Sequence, residues 1–376
     1  MNLPLSYQNQ LKLLVDGDEA FKNILHHIKT AKKSVYANVF IWRDDKIGNI
    51  IAKALLRAAE RGVQVTISKD RLGSVFEKGE ENKQSFFHKG FDTRLLFQEK
   101  IVLLSYHTLR KSIRSIQKTN PLVQTLLEHK NIHIDKKHIK KDHSKYFIFD
   151  DNIIITGGVN IEDRQVFPDI TGKLWNDYMI ELKGKLFVKL LQKRLQGKIN
   201  QNTNSWFDFV ANSKHHFELK QAILALLSSA KKEIKIIMAY LGDPDITKKL
   251  IEMSNTGIDI TLLAPQKANI QNDLNYKIMK HLLTKSDIKI CLSKYMIHAK
   301  MIFIDDAITL VGSANLNKQT MKQLCELNIL VKGKNLPFTQ DVRQSITKHL
   351  QNSTLITDPS ILQYRFWKSF LEDLIC

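Results

Sequence analysis

His143-Ser144-Lys145-Tyr146-Phe147-Ile148-Phe149-Asp150 and His298-Ala299-Lys300-Met301-Ile302-Phe303-Ile304-Asp305 are two copies of one pattern, His-x-Lys-x4-Asp. Each continues with a second aspartate, Asp151 or Asp306. Each then reaches a related tetrad, Gly157-Gly158-Val159-Asn160 or Gly312-Ser313-Ala314-Asn315, with the same 17-residue spacing from His to Asn. A single His-x-Lys triplet says little in a chain with 13 His and abundant Lys. The longer pattern, met twice with the same onward spacing, marks an internal duplication.

The duplication extends upstream. Residues 28–41 read IKTAKKSVYANVFI and residues 228–241 read SSAKKEIKIIMAYL. In both, Ala-Lys-Lys closes a helical pattern (Glu19–Thr30, Lys220–Ser229) and a β-rich run begins. A second helix and strand follow, Asn49–Arg61 and Val63–Ile67 in the first half, Asp245–Asn255 and Ile258–Leu263 in the second. Gly62 and Gly257 stand at the helix exits, where a left-handed cap suits glycine. Alternating strands and helices predict an α/β protein of two repeated lobes, 1–190 and 191–376, each with a sheet between helices. The stretch Leu186–Ser213 joins them, and Gly197–Ser205 is its most linker-like part.

The copies differ in length between the second helix and the His-Lys pattern. From Gly62 to His143 is 81 residues, but from Gly257 to His298 only 41, so the first lobe carries an insert within 73–140. The insert holds Phe86-Phe87, Phe91 and Ile101–Leu104. It also holds a basic amphipathic stretch, with Leu109, Ile113 and Ile116 on one helical face and Arg110, Lys111, Arg114 and Lys118 elsewhere. Such a segment suits a membrane surface or, more plainly, a helix packed on the lobe.

Composition sets the boundaries. The 376 residues are 43% hydrophobic and 25% charged, which fits a globular chain of two or three domains. No apolar run approaches the ~18–20 residues of a membrane-spanning helix. Met1-Asn2-Leu3-Pro4-Leu5 lacks the pattern of a secretory signal. Cys291, Cys325 and Cys376 form no CxxC pair, so a disulfide scaffold is excluded and a cytoplasmic setting is expected. The formal net charge of +19 favours polyanionic partners, either nucleic acid or an anionic membrane face.

The paired pattern has a chemical reading. On a strand, residues i and i+2 share a face, so His143 projects with Lys145 and His298 with Lys300. Brought together by a pseudo-two-fold axis, two imidazoles, two ammonium groups and the amides of Asn160 and Asn315 suit a phosphodiester. One His attacks phosphorus and the other protonates the departing oxygen. The two Lys neutralise phosphoryl charge, with Asn160 and Asn315 donating to the substrate phosphate. Each His needs its second ring nitrogen oriented by a carboxylate. Asp177, downstream of His143, and Glu326, downstream of His298, are the candidate orienters. No metal or cofactor is implied, because metal ligands are not grouped and two ammonium groups repel a cation.

The two His-x-Lys-x4-Asp patterns with trailing Gly-[Gly/Ser]-x-Asn resemble the phospholipase D superfamily. That resemblance implies a two-lobed α/β/α/β/α sandwich with the site between the lobes. It implies His143 as nucleophile, His298 as general acid and base, and Lys145 and Lys300 on the phosphate. Asp150 and Asp305 complete the catalytic motif, in a supporting role rather than in proton transfer. Within the superfamily, Leu14–Phe21, Asp44-Asp45-x-x-Gly48, Ala58-x-x-Arg61-Gly62-Val63, Asp70–Ser74 and Ile297–Leu316 are similar to bacterial cardiolipin synthases of the soluble type. Two departures stand out: Asp142 precedes the first His, and Leu316-Asn317-Lys318-Gln319-Thr320 follows the second Asn where an Asp and an Arg-Ser pair are usual.

The expected activity is phosphatidyl transfer to a lipid or glycerol hydroxyl. A lipid hydrolase uses the same site with water as acceptor. A nuclease is the reading from another class, which the charge and Lys136-Lys137-His138-Ile139-Lys140-Lys141 allow; a catalytically silent scaffold would have lost one of the four His and Lys. Anionic phospholipids and a peripheral membrane surface are the expected partners. The aromatic residues of Leu355–Cys376 are read as packing against a lobe, with a membrane interface as the alternative.

Overall fold

The computed structural model describes residues 4–79, 85–88, 95, 119–168, 174–198, 205–214 and 216–375. The amphipathic stretch 109–118, Phe91, and Ile101–Leu104 lie outside the described residues. The first lobe runs β1 (Leu11–Val15), α1 (Asp16–Thr30), β2 (Ser34–Val39), α2 (Lys46–Glu60), β3 (Gln64–Lys69), α3 (Gly73–Gly79), α4 (Pro121–Glu128), β4 (Ile132–Asp135), β5 (Lys145–Phe149), β6 (Ile153–Gly157), β7 (Trp175–Asn176), β8 (Tyr178–Lys183) and α5 (Lys185–Leu195). The second runs β9 (Phe207–Ser213), β10 (His216–Phe217), α6 (Leu219–Ser228), β11 (Glu233–Met238), α7 (Pro244–Asn255), β12 (Asp259–Pro265), α8 (Asn272–Lys285), β13 (Lys289–Ser293), β14 (Met296–Ile297), β15 (Lys300–Ile304), β16 (Ile308–Gly312), α9 (Lys318–Lys322), β17 (Glu326–Lys332), α10 (Pro337–Gln351), β18 (Ser353–Ile356) and α11 (Phe366–Ile375).

One strand order is used twice. The first sheet reads β1-β8-β6-β5-β2-β3-β4, and the second reads β10-β9-β17-β16-β15-β11-β12-β13-β18, the same arrangement with one strand added at each edge. The registers agree: Ala37 pairs with Phe147 in the first sheet as Ile236 pairs with Ile302 in the second. β2 and β3 are parallel, as are β11 and β12, and the crossovers α2 and α7 supply the connections. Gly62 and Gly257 end those crossovers at φ +90° and +88°, the left-handed backbone that glycine adopts at low cost.

Five layers result, in agreement with the α/β/α/β/α expectation. α1 and α2 bury Phe21, Ile24, Ile51 and Leu55 against the outer face of the first sheet. α6, α7 and α8 do the same for the second with Ile223, Leu250 and Met279. Between the sheets lies one shared apolar layer. Phe187 and Leu191 of α5 and Phe338 and Val342 of α10 fill it, with Ile180 and Leu182 from one sheet and Phe207 and Ile329 from the other. Residue 190, drawn as the boundary between lobes, falls inside α5.

One part of the insert is placed and one expectation changes. Phe86 and Phe87 of the insert are buried against Trp42, with ring centroids 5.5 and 5.2 Å from it, and are therefore core. Three of the C-terminal aromatic residues do not pack on the lobe. α11 turns its polar side inward, and Phe366, Trp367 and Phe370 face out.

Candidate active site

The two His-Lys pairs meet at one end of the sheets. β5 and β15 begin at Lys145 and Lys300, so each His lies just before its strand. The strand interior (Tyr146, Phe147, Phe149; Met301–Ile304) is buried, which anchors the pair on a rigid element. His143, His298, Asn160 and Asn315 line one cleft, together with Phe40, Arg164, Tyr240, Asn269, Gln271 and Asn317.

Each His is pinned to the opposite lobe. His143 Nδ1 lies 3.1 and 3.2 Å from the carboxylate oxygens of Glu326, and its backbone N–H donates to Cys325 O at 2.9 Å. His298 Nδ1 lies 2.6 Å from Asp177 Oδ2, and its backbone N–H donates to Asn176 O at 2.8 Å. The orienting carboxylates are therefore exchanged: the sequence order had suggested a partner within the same lobe. Register shows why the exchange is symmetric. Gly157 pairs with Met179 and Gly312 with Asn328, so Asp177 and Glu326, each two residues earlier, are equivalent positions. With Nδ1 engaged, Nε2 of His143 is the nitrogen left for chemistry, while Nε2 of His298 has Lys300 Nζ 3.2 Å away.

Burial governs the electrostatics. Burial and the charge of Lys145 hold His143 below the ordinary imidazole value, against the pull of Glu326. Burial, Lys300 and Lys145 hold His298 further below it. Burial also lowers Lys145 to about 7 and Lys300 to about 8, and raises Asp177 to about 6. Lys145 Nζ donates to His143 O at 2.5 Å, and Lys300 Nζ donates to His298 O. The amide oxygens of Asn160 and Asn315 are buried without a partner. An anionic ligand would pair with the lysines and draw protons back onto the site.

Asp150 and Asp305 are not part of the site. They sit at the far end of five-residue strands, about 16 Å along the chain from the lysines. Each occupies a hairpin turn at positive φ, 52° and 51°, followed by Asp151 or Asp306 in the same conformation. Asp150 accepts from the backbone N–H groups of Lys32, Lys33 and Ser34 at 2.8–3.2 Å. Asp305 accepts from those of Lys231, Lys232 and Glu233 at 2.8–3.0 Å. Burial raises both carboxyls, but these donors outweigh it and hold both below the ordinary value. The repeated Ala-Lys-Lys is thus the other half of a lock between hairpin and helix end.

Several cleft residues were not singled out from sequence. Tyr240 faces the His298 ring at 6.2 Å, Trp175 stands 5.2 Å from it, and Phe40 meets His143 at 4.8 Å. Arg164 lies over Trp175 at 3.7 Å and pairs with Glu162 at 2.9 Å. Gln271 sits at φ 56° with its Nε2 buried and unpartnered. Asn317 donates to Gln271 Oε1 at 3.2 Å, so the departure after the second Asn supplies a cleft residue. Asp142, the other departure, ties the turn before His143 through Ser144 N–H at 3.0 Å and Asn38 Nδ2 at 3.0 Å. In the basic run, Lys140 is engaged by Asp135 at 2.6 Å.

A family model described as "Cardiolipin synthase, PLD-like domain" matches residues 24–199 and 223–350. Cardiolipin synthase 1 of Bacillus cereus is 25% identical over 99% of this chain and 72% of its own length. A cardiolipin synthase of Staphylococcus aureus is 22% identical over 98% and 73%. Among solved structures, the phosphatidylserine synthase of Haemophilus influenzae superposes with a TM-score of 0.69 at 13% identity, covering 99% of this chain and 93% of that one. The polyphosphate kinase of Porphyromonas gingivalis gives 0.56 at 12% identity, over 96% of this chain and 52% of its own. At these identities the structural likeness speaks to the fold.

Proposed function

The chain belongs to the phospholipase D-like family of cardiolipin synthases, and on that premise we propose that it transfers a phosphatidyl group to the hydroxyl of a lipid or glycerol through a phosphohistidine. The observation that carries the reading is the crosswise pairing, His143–Glu326 and His298–Asp177, with both imidazoles lining one cleft and each lysine bonded to the backbone of its own histidine. Neutral His143 attacks phosphorus through Nε2, forming the P–N bond as the P–O bond to the leaving alcohol breaks. His298 gives that alkoxide a proton from Nε2. The same nitrogen then takes the proton of the acceptor hydroxyl, whose oxygen displaces His143 from phosphorus. Lys145, Lys300, Asn160 and Asn315 hold the non-bridging oxygens, where charge builds in the transition state.

Burial, Lys300 and Lys145 disfavour a proton on His298. A bound phosphodiester supplies the compensating negative charge, so the acid is armed only with substrate in place. A cleft rich in hydrogen-bonding side chains (Tyr240, Asn269, Gln271, Asn317) suits a polyol acceptor. The substrates are lipids, so the protein works at a membrane surface; no helix among the described residues is long and apolar enough to cross one.

Labelled phosphatidylglycerol with and without a second, different alcohol such as ethanol as added acceptor tests the reading. A new phosphatidyl ester or cardiolipin, lost in His143→Ala, is the expected product. Phosphatidic acid alone would identify a hydrolase. No lipid product, with cleavage of single-stranded DNA instead, would replace the reading by a nuclease.

A further inference from the structure

α11 is amphipathic in the wrong sense for a helix at the surface of a globular protein. Its buried side is polar: Lys368, Ser369 and Glu372 are 3%, 0% and 0% exposed. Its outer side is apolar: Phe366, Trp367, Phe370 and Leu374 are 72%, 58%, 54% and 69% exposed. Residues 366, 370 and 374 follow at four-residue steps, so they form one stripe, with Trp367 beside it. Single exposed apolar residues are common, but four on one helical face mark an interaction surface.

The helix is fixed at the rim of the cleft. Glu372 Oε2 accepts from the backbone N–H of Leu274 at 2.7 Å, in the first turn of α8, whose cap residue Gln271 lines the cleft. Asp273 of the same turn accepts from the Arg365 backbone at 2.7 Å and from its guanidinium at 3.1 Å. Asp373 pairs at 2.6 Å with Lys318, which stands between the cleft residues Asn317 and Gln319. Polar tethers on one side thus hold an aromatic face outward beside the substrate entrance.

We propose that α11 is a bilayer-docking helix: Phe366, Trp367, Phe370 and Leu374 enter the interfacial layer of an anionic membrane and set the cleft mouth against it. Charge chooses this occupant over a second copy of the chain. The net charge of +19 opposes self-association and favours an anionic surface. Exposed Lys267, Lys294 and Lys322 lie on segments that border the cleft or lead into His298. Aromatic residues beside an arginine, here Arg365 with its guanidinium 5.9 Å from the Trp367 ring, suit the headgroup layer. The inference rests on the reading of a bilayer-borne phosphatidyl substrate, which would otherwise have to leave the membrane to reach the cleft.

The test is co-sedimentation with vesicles of phosphatidylglycerol and of phosphatidylcholine, with no turnover required. Wild type and His143→Ala should bind phosphatidylglycerol vesicles equally, and far better than phosphatidylcholine vesicles. The quadruple variant F366S/W367S/F370S/L374S should bind at least tenfold more weakly, with unchanged circular dichroism and unchanged turnover of a monomeric short-chain phosphatidylglycerol. Trp367 emission, taken as the difference from Trp367→Phe, should shift to the blue and be quenched by brominated acyl chains. Equal vesicle binding by the quadruple variant, or an unmoved Trp367, would overturn the proposal. A wild-type dimer that the quadruple variant dissociates would assign the face to a second copy instead. Vesicle binding without lipid turnover in wild type would leave the docking helix standing and count against the proposed reaction alone.

Discussion

The two halves of the active site share a backbone frame but support their histidines differently. In one half Glu326 spreads both oxygens over His143 Nδ1 and is itself held by Ser313 Oγ at 2.5 Å and Thr320 Oγ1 at 3.3 Å. In the other, the shorter Asp177 sends Oδ2 to His298 and takes the Tyr178 N–H on Oδ1 at 2.8 Å. It lies directly over Gly158, where a Cβ would stand 2.2 Å from Oδ1. Gly158 and Ser313 are the equivalent second residues of the repeated tetrad. The duplication therefore fixes position, while two coupled pairs, Gly158 with Asp177 and Ser313 with Glu326, set how each imidazole is held. The half with a glycine gives the shorter His–carboxylate contact.

The largest effects should come from the histidines. His143→Ala and His298→Ala should each lower phosphatidyl transfer by at least about 10⁴-fold, because neither role passes to the other residue. Residual activity within tenfold of wild type in either variant would break the two-histidine account. The carboxylates come next. Asp177→Asn and Glu326→Gln should each lower kcat by roughly 10²–10⁴-fold through the wrong tautomer, as for a buried carboxylate behind a catalytic imidazole. In wild type, kcat/KM should fall on the alkaline side near pH 7, where free Lys145 loses its proton. It should fall on the acid side only below the ordinary imidazole value, as His143 is protonated. The alkaline limb of kcat should lie higher, since bound phosphate raises Lys145. A single limb shared by kcat and kcat/KM would contradict the arming of the site by substrate.

The coupled pairs sharpen the comparison further. Gly158→Ser should cost about 10–100-fold by driving Asp177 off His298, and Gly158→Ser with Asp177→Glu should recover part of it by recreating the other half. Ser313→Ala should cost about fivefold, the equivalent of about 1 kcal/mol for one hydrogen bond. Equal losses for Gly158→Ser and the double variant would show that the halves are not interchangeable frames. The smallest effect on chemistry belongs to the hairpin locks. Asp150→Asn and Asp305→Asn should lower stability by about 1–3 kcal/mol, since a charged acceptor of three backbone N–H groups is weakened, and leave kcat within a few-fold. The Asp150 contribution is present above its ordinary value of 3.8 and is lost as pH falls through the lower folded value. Thermal melts of both variants at neutral and acid pH check this.

Much of this architecture was legible because the chain says it twice. The repeat of Ala-Lys-Lys, of the crossover glycines and of His-x-Lys-x4-Asp carried the two-lobed sandwich and the four central side chains. Other features needed three dimensions. Asp177 and Glu326 were identifiable as downstream carboxylates, but linear spacing carries no sign of the exchange between lobes; only the register at Gly157 and Gly312 reveals it. Asp150 and Asp305 share a motif with the catalytic pair, yet a strand of five residues carries them away from it. α11 was misread because aromatic content alone does not say which face is docked; Glu372 and Asp373, the tethers, gave no pattern by themselves.

The central claim is that the two equivalent histidines have unequal roles. Rapid alkaline quench of wild type turning over labelled phosphatidylglycerol, followed by peptide mass spectrometry, reads it directly. The account predicts a phosphatidyl adduct on the peptide containing His143, accumulating further in His298→Ala and absent in His143→Ala. An adduct on His298, or product formation with no adduct on either histidine, would contradict it.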